Sequence, residues 1–170
     1  MPARPFLPWP DKRLRSPAVA VDSITDEVRD VWEDMIASMR AMPGHGVGLA
    51  APQIGVALRL AVVDASDTGG QAIRMANPEV IAASDEVNTY EEASPNLPGV
   101  SARVRRPARV TVRYLDHSGM LMRKDFEGLW ATSVQHQIDH LDGRMYFDRL
   151  SKVKRDMLLK KARKLAGGAG

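Results

Sequence analysis

Apolar side chains recur at helical spacing in three stretches of the chain, and the clearest lies near its carboxyl end. There the pattern predicts a helix over residues 129–142, ended by Gly143, a residue type that favours the left-handed turn after a helix. The apolar stripe of this helix consists of Trp130, Val134, Ile138 and Leu141. At 100° per residue, His136 and His140 point about 135° away from the stripe, so they do not belong to the apolar face.

Two further helices are predicted from the same periodicity. One covers residues 25–42 and begins at Ser23 or Thr25, which are N-cap residue types, and the other covers residues 151–165. The apolar faces consist of Val28, Val31, Trp32, Met35, Ile36 and Met39 in the first and of Val153, Met157, Leu158 and Ala162 in the second. We expect the face of the first helix to pack in the core.

Alternation of apolar and polar residues predicts strands between these helices. The predicted strands cover residues 58–64, 73–83, 86–92, 103–116 and 120–126. Pro107 marks an edge or a bulge in the longest of them. Residues 1–21 and 93–99 hold several prolines and are predicted to be irregular.

Length and composition indicate a single domain over residues 1–170, with a flexible tail over residues 165–170. Hydrophobic residues make up 44% and charged residues 26% of the chain, as in ordinary globular domains. The absence of cysteine excludes disulfides and thiolate ligands. No apolar run approaches the ~20 residues of a membrane span. For that reason a membrane is not an expected partner. The net charge of +3 is too small to indicate nucleic acid by itself, so specific DNA is not an expected partner either.

His136 and His140 are four residues apart, which places their Cβ atoms about 5–6 Å apart on one face of a helix. Two imidazoles at this spacing hold one metal ion in H-E-x-x-H metallohydrolases, where the intervening Glu moves protons. Here Gln137 follows the first histidine, and an amide neither takes up nor releases a proton near neutral pH. The pair predicts a metal site; the other interpretation is two polar helix residues with no shared role.

Glycines and small apolar residues fill the segment over residues 43–55. They break the preceding helix and indicate backbone packed closely against a strand or a ligand. A tight structural turn is the other interpretation, and the local sequence alone favours it. The Walker pattern is absent, so the segment is not a phosphate-binding loop.

Three ordered stretches together resemble peptide deformylases, the metal hydrolases that remove the formyl group from new bacterial proteins. The family motif G-x-G-L-A-A-x-Q is matched fully by residues 46–53, and Q-H-E-x-D-H-L is matched with one substitution by residues 135–141. The motif E-G-C-L-S falls on residues 92–96 and is kept only at Glu92. The resemblance extends from about Phe6 to Leu165.

The resemblance implies an α+β fold with mixed, mostly antiparallel sheets around the central histidine-bearing helix, in a cytoplasmic protein. It also implies a divalent metal, usually iron, or nickel or zinc, bound by His136, His140 and the residue at position 94. The implied catalytic positions are Gln137, where the family has the proton-carrying Glu, and Gln53, which with the N–H of position 95 holds the formyl oxygen. The implied substrate-binding positions are Val47, Gly48 and Ala93.

Three of the departures from the family pattern fall in different chemical roles. Ser94 replaces the Cys ligand, and a hydroxyl ionises far less readily than a thiol. Gln137 removes the proton carrier, an effect typically worth about 10²–10⁴-fold. Pro95 has no N–H for the formyl oxygen, a donor typically worth about 10²–10³-fold. We therefore predict a weakly bound or absent metal and lost or much reduced deformylase activity.

Other functional hypotheses stay open at this point. The chain could be an active deformylase with a rebuilt metal site, in which Glu91 or Glu92 replaces a ligand or the base. Ser94 could act as a nucleophile with His136, although no nucleophile-elbow pattern surrounds it. The chain could also be a non-catalytic protein that binds peptide N-termini or the ribosome, the latter through the basic last helix. The basic side chains of this helix are Lys152, Lys154, Arg155, Lys160, Lys161, Arg163 and Lys164.

Overall fold

A computed structural model of the chain describes residues 3–44 and 46–168, within which three α-helices and seven β-strands are found. The helices are α1 (Asp26–Arg40), α2 (Gly128–Leu141) and α3 (Lys152–Gly168). The strands are β1 (Gly48–Ala50), β2 (Leu60–Val63), β3 (Ile73–Ala83), β4 (Val87–Ser94), β5 (Leu97–Pro107), β6 (Arg109–Leu115) and β7 (Leu121–Glu127). Short 3₁₀ turns lie at Lys12–Arg15, Ala51–Ile54 and Tyr146–Arg149.

The strands form two antiparallel sheets. One has five strands in the order β1-β2-β3-β6-β7, and the other is the hairpin of β4 and β5. Helix α2 contacts strands of both sheets, while α1 contacts β1 and β2. The predicted α+β fold, with mostly antiparallel sheets around the histidine-bearing helix, is therefore confirmed.

Helix α1 begins where its sequence predicts. Thr25 is the N-cap, and its hydroxyl accepts a hydrogen bond from the Val28 backbone N–H at 3.2 Å. The predicted apolar face is buried except for Val31, which is half-buried. The helix ends at Arg40, two residues before the predicted end, and the chain then turns towards β1.

Helix α2 is buried along most of its length because the two sheets cover different sides of it. Ala131 and Val134 pack in a core cluster formed with β2, β3, β6 and β7. The predicted stop is present, since Gly143 follows the helix with φ of 78°. A Cβ at this glycine would lie 2.5 Å from the carbonyl oxygen of Arg15, so only glycine lets the N-terminal segment pack against the helix end.

Two predictions about the strands were wrong. The single strand predicted over residues 103–116 is two strands in different sheets, β5 and β6, which separate at Pro107 and Ala108. Proline has no N–H for the ladder, and the Ala108 N–H bonds instead to the Glu86 carbonyl. The irregular stretch predicted over residues 93–99 is the tight end of the β4–β5 hairpin, in which Ser94 pairs with Leu97.

The apolar side of the last helix is only partly buried. Leu158 and Ala162 are buried against β5, but Val153 and Met157 are exposed. The helix continues to Gly168, into the residues predicted as a tail. Residues 169–170 lie outside the described part of the chain, as do residues 1–2 of the predicted irregular start. None of the described helices is long and apolar enough to cross a membrane.

Candidate active site

The two histidines of α2 lie together in the buried interior. The Nε2 atoms of His136 and His140 are 3.2 Å apart, and the Nδ1 atom of His136 is 2.8 Å from Glu92 Oε1. An ionised carboxylate can only accept a hydrogen bond. Nδ1 of His136 therefore carries a hydrogen atom and donates a hydrogen bond to Glu92. The Nδ1 atom of His140 is buried without a hydrogen-bond partner among the described residues.

A network of buried charges orients this pair. Arg106, fully buried on β5, donates to both oxygens of Glu92 at 2.7 and 2.9 Å and to Asp139 at 2.9 Å. Asp139 in turn accepts two hydrogen bonds from Arg149 at 2.7 and 2.8 Å. Two carboxylates and two guanidinium groups thus compensate one another, with Glu92, Arg106 and Asp139 buried and Arg149 at the surface. Glu92 also holds the ring of His136 in place.

The pKa directions follow from these contacts. Burial alone raises the pKa of Glu92, but the hydrogen bonds from His136 and Arg106 outweigh burial and leave that pKa below its ordinary value. The pKa of Asp139 is likewise lowered, since Arg149 and Arg106 outweigh burial. Burial, together with the neighbouring His136, lowers the pKa of His140 well below its ordinary value. His140 is therefore neutral near pH 7 while both carboxylates are charged.

A second buried cluster joins the short turn after β1 to the end of the β4–β5 hairpin. The Gln53 amide nitrogen donates to Asn96 Oδ1 at 2.8 Å and to Ser94 Oγ at 3.3 Å. Ser94 in turn donates to Asn96 Oδ1 at 3.0 Å. Asn96 donates to the backbone carbonyls of Leu7 and Gln53 at 2.7 and 3.0 Å, so the cluster also fastens the N-terminal segment. Both N–H groups of Gln53 and the hydroxyl of Ser94 are engaged within the cluster.

These groups surround a cavity of about 220 Å³, here called the active-site cavity. Its lining residues are Met42, Gly46, Val47, Gly48, Gln53, Glu91, Glu92, Ala93, Pro95, Leu129, Thr132, Ser133, His136 and Gln137. Six of the predicted site residues therefore line one cavity. The other two, Ser94 and His140, lie directly behind the lining, hydrogen-bonded to Gln53 and His136 respectively. The roles assigned to these residues remain predictions.

The side chain of Gln137, a residue of α2, is packed tightly against β1. Its Oε1 atom is buried with no hydrogen-bond partner among residues 3–44 and 46–168. A Cβ on Gly48 would lie 2.5 Å from Ser133 Oγ and 2.6 Å from Gln137 Nε2. Glycine at this position therefore allows the backbone of β1 to approach the helix, which supports the close-packing interpretation of the glycine-rich segment.

Comparisons with known proteins agree with this geometry. The family model described as polypeptide deformylase matches residues 3–156. The chain belongs to the peptide deformylase family. It is 44% identical to a peptide deformylase of Bradyrhizobium sp. (strain BTAi1) over 100% of this chain and 99% of that protein. It is 42% identical to a peptide deformylase-like protein of Bradyrhizobium diazoefficiens over 99% of this chain and 97% of that protein.

A solved structure gives the same result. The peptide deformylase of Legionella pneumophila has a TM-score of 0.88 and 38% sequence identity, with 96% of this chain and 95% of that chain covered. The family catalyses a metal-dependent hydrolysis in the N-terminal processing of new proteins.

The two imidazoles fit a shared ion, but a third ligand is missing. Two nitrogens bound at ~2.0–2.1 Å to one tetrahedral ion lie roughly 3.3 Å apart, close to the 3.2 Å seen here. No group of three His, Asp or Glu side chains able to hold a metal occurs among the described residues. Ser94 stands at the sequence position of the family's remaining ligand, and its hydroxyl is engaged with two amides. The residues present therefore do not fit the family's three-ligand metal site.

The alternative roles for Ser94 and the two glutamates find no support in the contacts. Both ring nitrogens of His136 face Glu92 and His140, and Ser94 bonds to Gln53 and Asn96. A serine nucleophile without a bonded base is not activated. Glu92 is held by Arg106, whereas Glu91 is exposed and accepts from Ser101.

Two residues of the site escaped prediction from the sequence. Arg106 shares its strand parity with Val104, so a basic residue on an inward-facing position was a visible signal of a buried ion pair. Asn96 stands at the last position of the second motif, where the family has Ser. The replacement of Ser by Asn at this position does not by itself predict a hydrogen bond to Gln53, which is 43 residues away.

Proposed function

We propose that this chain is a peptide deformylase-family protein that binds peptide N-termini and has little or no deformylase activity. The observation that carries the proposal is the engagement of Gln53 and Ser94 by Asn96. Through it, the amide that should bind the formyl oxygen and the group that replaces the metal ligand are both occupied within the protein.

The oxyanion donors are the first chemical deficit. An acyl oxygen gains negative charge as water adds to its carbon, and preorganised N–H groups normally stabilise that charge. Pro95 has no N–H, and both N–H groups of Gln53 already donate to Asn96 and Ser94. The cavity therefore lacks the two donors that the family resemblance assigns to this task.

The proton carrier and the metal are the second and third deficits. Gln137 keeps the shape of Glu but exchanges no proton. The metal supplies the family with an acidified water, but among the residues that the structure describes only the two imidazoles lie in position to hold a metal. Binding of iron, nickel or zinc, where it occurs, is expected to be weak.

Peptide binding is supported by what the active-site cavity retains. β1 is the terminal strand of its sheet, so its outer edge can pair with an extended peptide. Val47 and Gly48 lie at this edge of the cavity, and Met42 and Leu129 offer apolar lining. Docking on the ribosome through the basic face of α3 remains a prediction.

The binding half of the proposal is tested with the peptide formyl-Met-Ala-Ser. Leu129 lines the cavity and is 37% exposed, so Leu129→Glu is expected to weaken binding by at least about fivefold through loss of apolar contact. Isothermal titration calorimetry gives the dissociation constants. The matched control is Leu121→Glu on β7, an exposed leucine outside the cavity, which should bind as the unmodified protein does. No saturable binding by the unmodified protein, or equal loss in both variants, would refute the binding proposal.

A further inference from the structure

A cleft lined by arginines lies on the surface outside the active-site cavity. Its lining consists of Arg15, Arg105, Arg144, Asp148 and Arg149, and its volume is about 510 Å³. We propose that this arginine cleft is a binding site for a phosphate group. The proposal does not depend on whether the chain hydrolyses formyl peptides.

The charge balance of the cleft is the first argument. Four guanidinium groups and one carboxylate line it. Arg105 and Arg144 are exposed, and neither forms an ion pair with a carboxylate in the described part of the chain. Like charges held in one concavity repel one another and make the local electrostatic potential more positive, which attracts anions. Arg15 and Arg149 are paired with carboxylates. Among the described residues, the charges of Arg105 and Arg144 are left without such a partner, and a multiply charged anion would neutralise them.

The second argument is that two of the arginines are held in fixed positions. Arg15 donates to both oxygens of Asp148, and its guanidinium lies 4.7 Å over the ring of Trp9. Arg149 is held by its two hydrogen bonds to Asp139. Asp148 also accepts from the Met145 backbone N–H, which fixes the carboxylate. These contacts build one wall of the cleft before any ligand arrives, which lowers the entropy cost of binding.

The chemistry of guanidinium points to phosphate within the class of anions. The planar fork presents paired N–H donors that match two oxygens of a phosphate, and several such forks can share one tetrahedral group. Arg105 and Arg144 keep their donors available for this purpose. A small phosphorylated anion and a nucleic-acid phosphodiester share this chemistry, and experiment separates the two sources.

The test uses the full chain and the double variant Arg105→Gln/Arg144→Gln, which leaves every assigned ion pair intact. Inorganic pyrophosphate is titrated calorimetrically at constant ionic strength, and the double variant is expected to raise its dissociation constant at least about tenfold. Binding should also raise the melting temperature of the unmodified protein more than that of the variant. The matched control is Arg123→Gln/Lys124→Gln on β7, two exposed basic residues outside the cleft, with an expected change within about twofold.

A second arm uses a 20-nucleotide RNA. A weaker affinity and a lower salt dependence in the cleft variant, but not in the control, would identify a phosphodiester as the source of the phosphate. An effect confined to pyrophosphate would identify a small anion. The proposal is overturned if the unmodified protein binds neither probe, or if the cleft variant and the control lose affinity equally for both.

Discussion

A variant carrying Ser94→Cys, Pro95→Leu, Asn96→Ser and Gln137→Glu is expected to release formate from formyl-Met-Ala-Ser at least about 10³-fold faster than the unmodified protein. The changes restore a thiolate ligand, a backbone donor and a proton carrier. Asn96→Ser belongs to the set because Asn96 accepts the hydrogen bonds that occupy Gln53 and Ser94. Removing it frees the Gln53 amide to face the formyl oxygen.

Variants that carry only some of the four changes test whether the changes act together. Gln137→Glu alone is expected to change the rate by less than about tenfold, because groups that act as a unit show their effect only together. The variant that carries the other three changes but retains Asn96 should bind metal more weakly than the variant with all four changes. Adding His140→Ala to the four changes is the control that excludes a contaminating host deformylase. If the variant that retains Asn96 releases formate as fast as the variant with all four changes, the role given to Asn96 is contradicted.

The second large effect is on stability, and it concerns Arg106. Arg106→Met is expected to lower the free energy of unfolding by about 3–5 kcal/mol, since it leaves Glu92 charged and buried without its main partner. Asp139 keeps its hydrogen bonds to Arg149, so Glu92 accounts for most of the loss. The pKa of Glu92 is lowered in the folded protein, so this ion pair contributes above the ordinary carboxyl pKa and its contribution fades as the pH falls. The difference between variant and unmodified protein should therefore narrow below about pH 4.

Urea unfolding at several pH values measures this difference. Arg109→Met is the matched control, because Arg109 pairs with Glu86 at 2.8 Å on the exposed surface, where such pairs contribute about 0–1 kcal/mol. If Arg106→Met lowers the free energy of unfolding at pH 7 by no more than the control does, the buried network does not stabilise the fold as described.

The sequence predicts the framework of this molecule well because its signals are local. Thr25 as an N-cap, the apolar stripe of α1 and Gly143 after α2 each depend on residues a few positions apart. The His136–His140 pair is of the same kind, since four residues along a helix fix its geometry. The division of residues 103–116 between two sheets depends on pairing with distant strands, which periodicity does not carry.

The interior of the site shows the same limit. The sequence marks Ser94, Pro95 and Gln137 as departures from the family, but it does not show what the replaced groups contact. The hydrogen bonds of Asn96 to Gln53 and Leu7 span 43 and 89 positions. Likewise, Arg106 meets Asp139 across 33 positions. Such contacts follow from the packed hairpin and helix, so only the structure shows that Gln53 and Ser94 are hydrogen-bonded to Asn96.

The most direct test of the central claim is the turnover of formyl-Met-Ala-Ser by the unmodified protein, measured together with its metal content after purification without added metal. We predict substoichiometric iron, nickel and zinc and no formate release above the His136→Ala background. A tightly held stoichiometric metal together with turnover at an ordinary enzyme rate of about 1–10³ s⁻¹ would contradict the account.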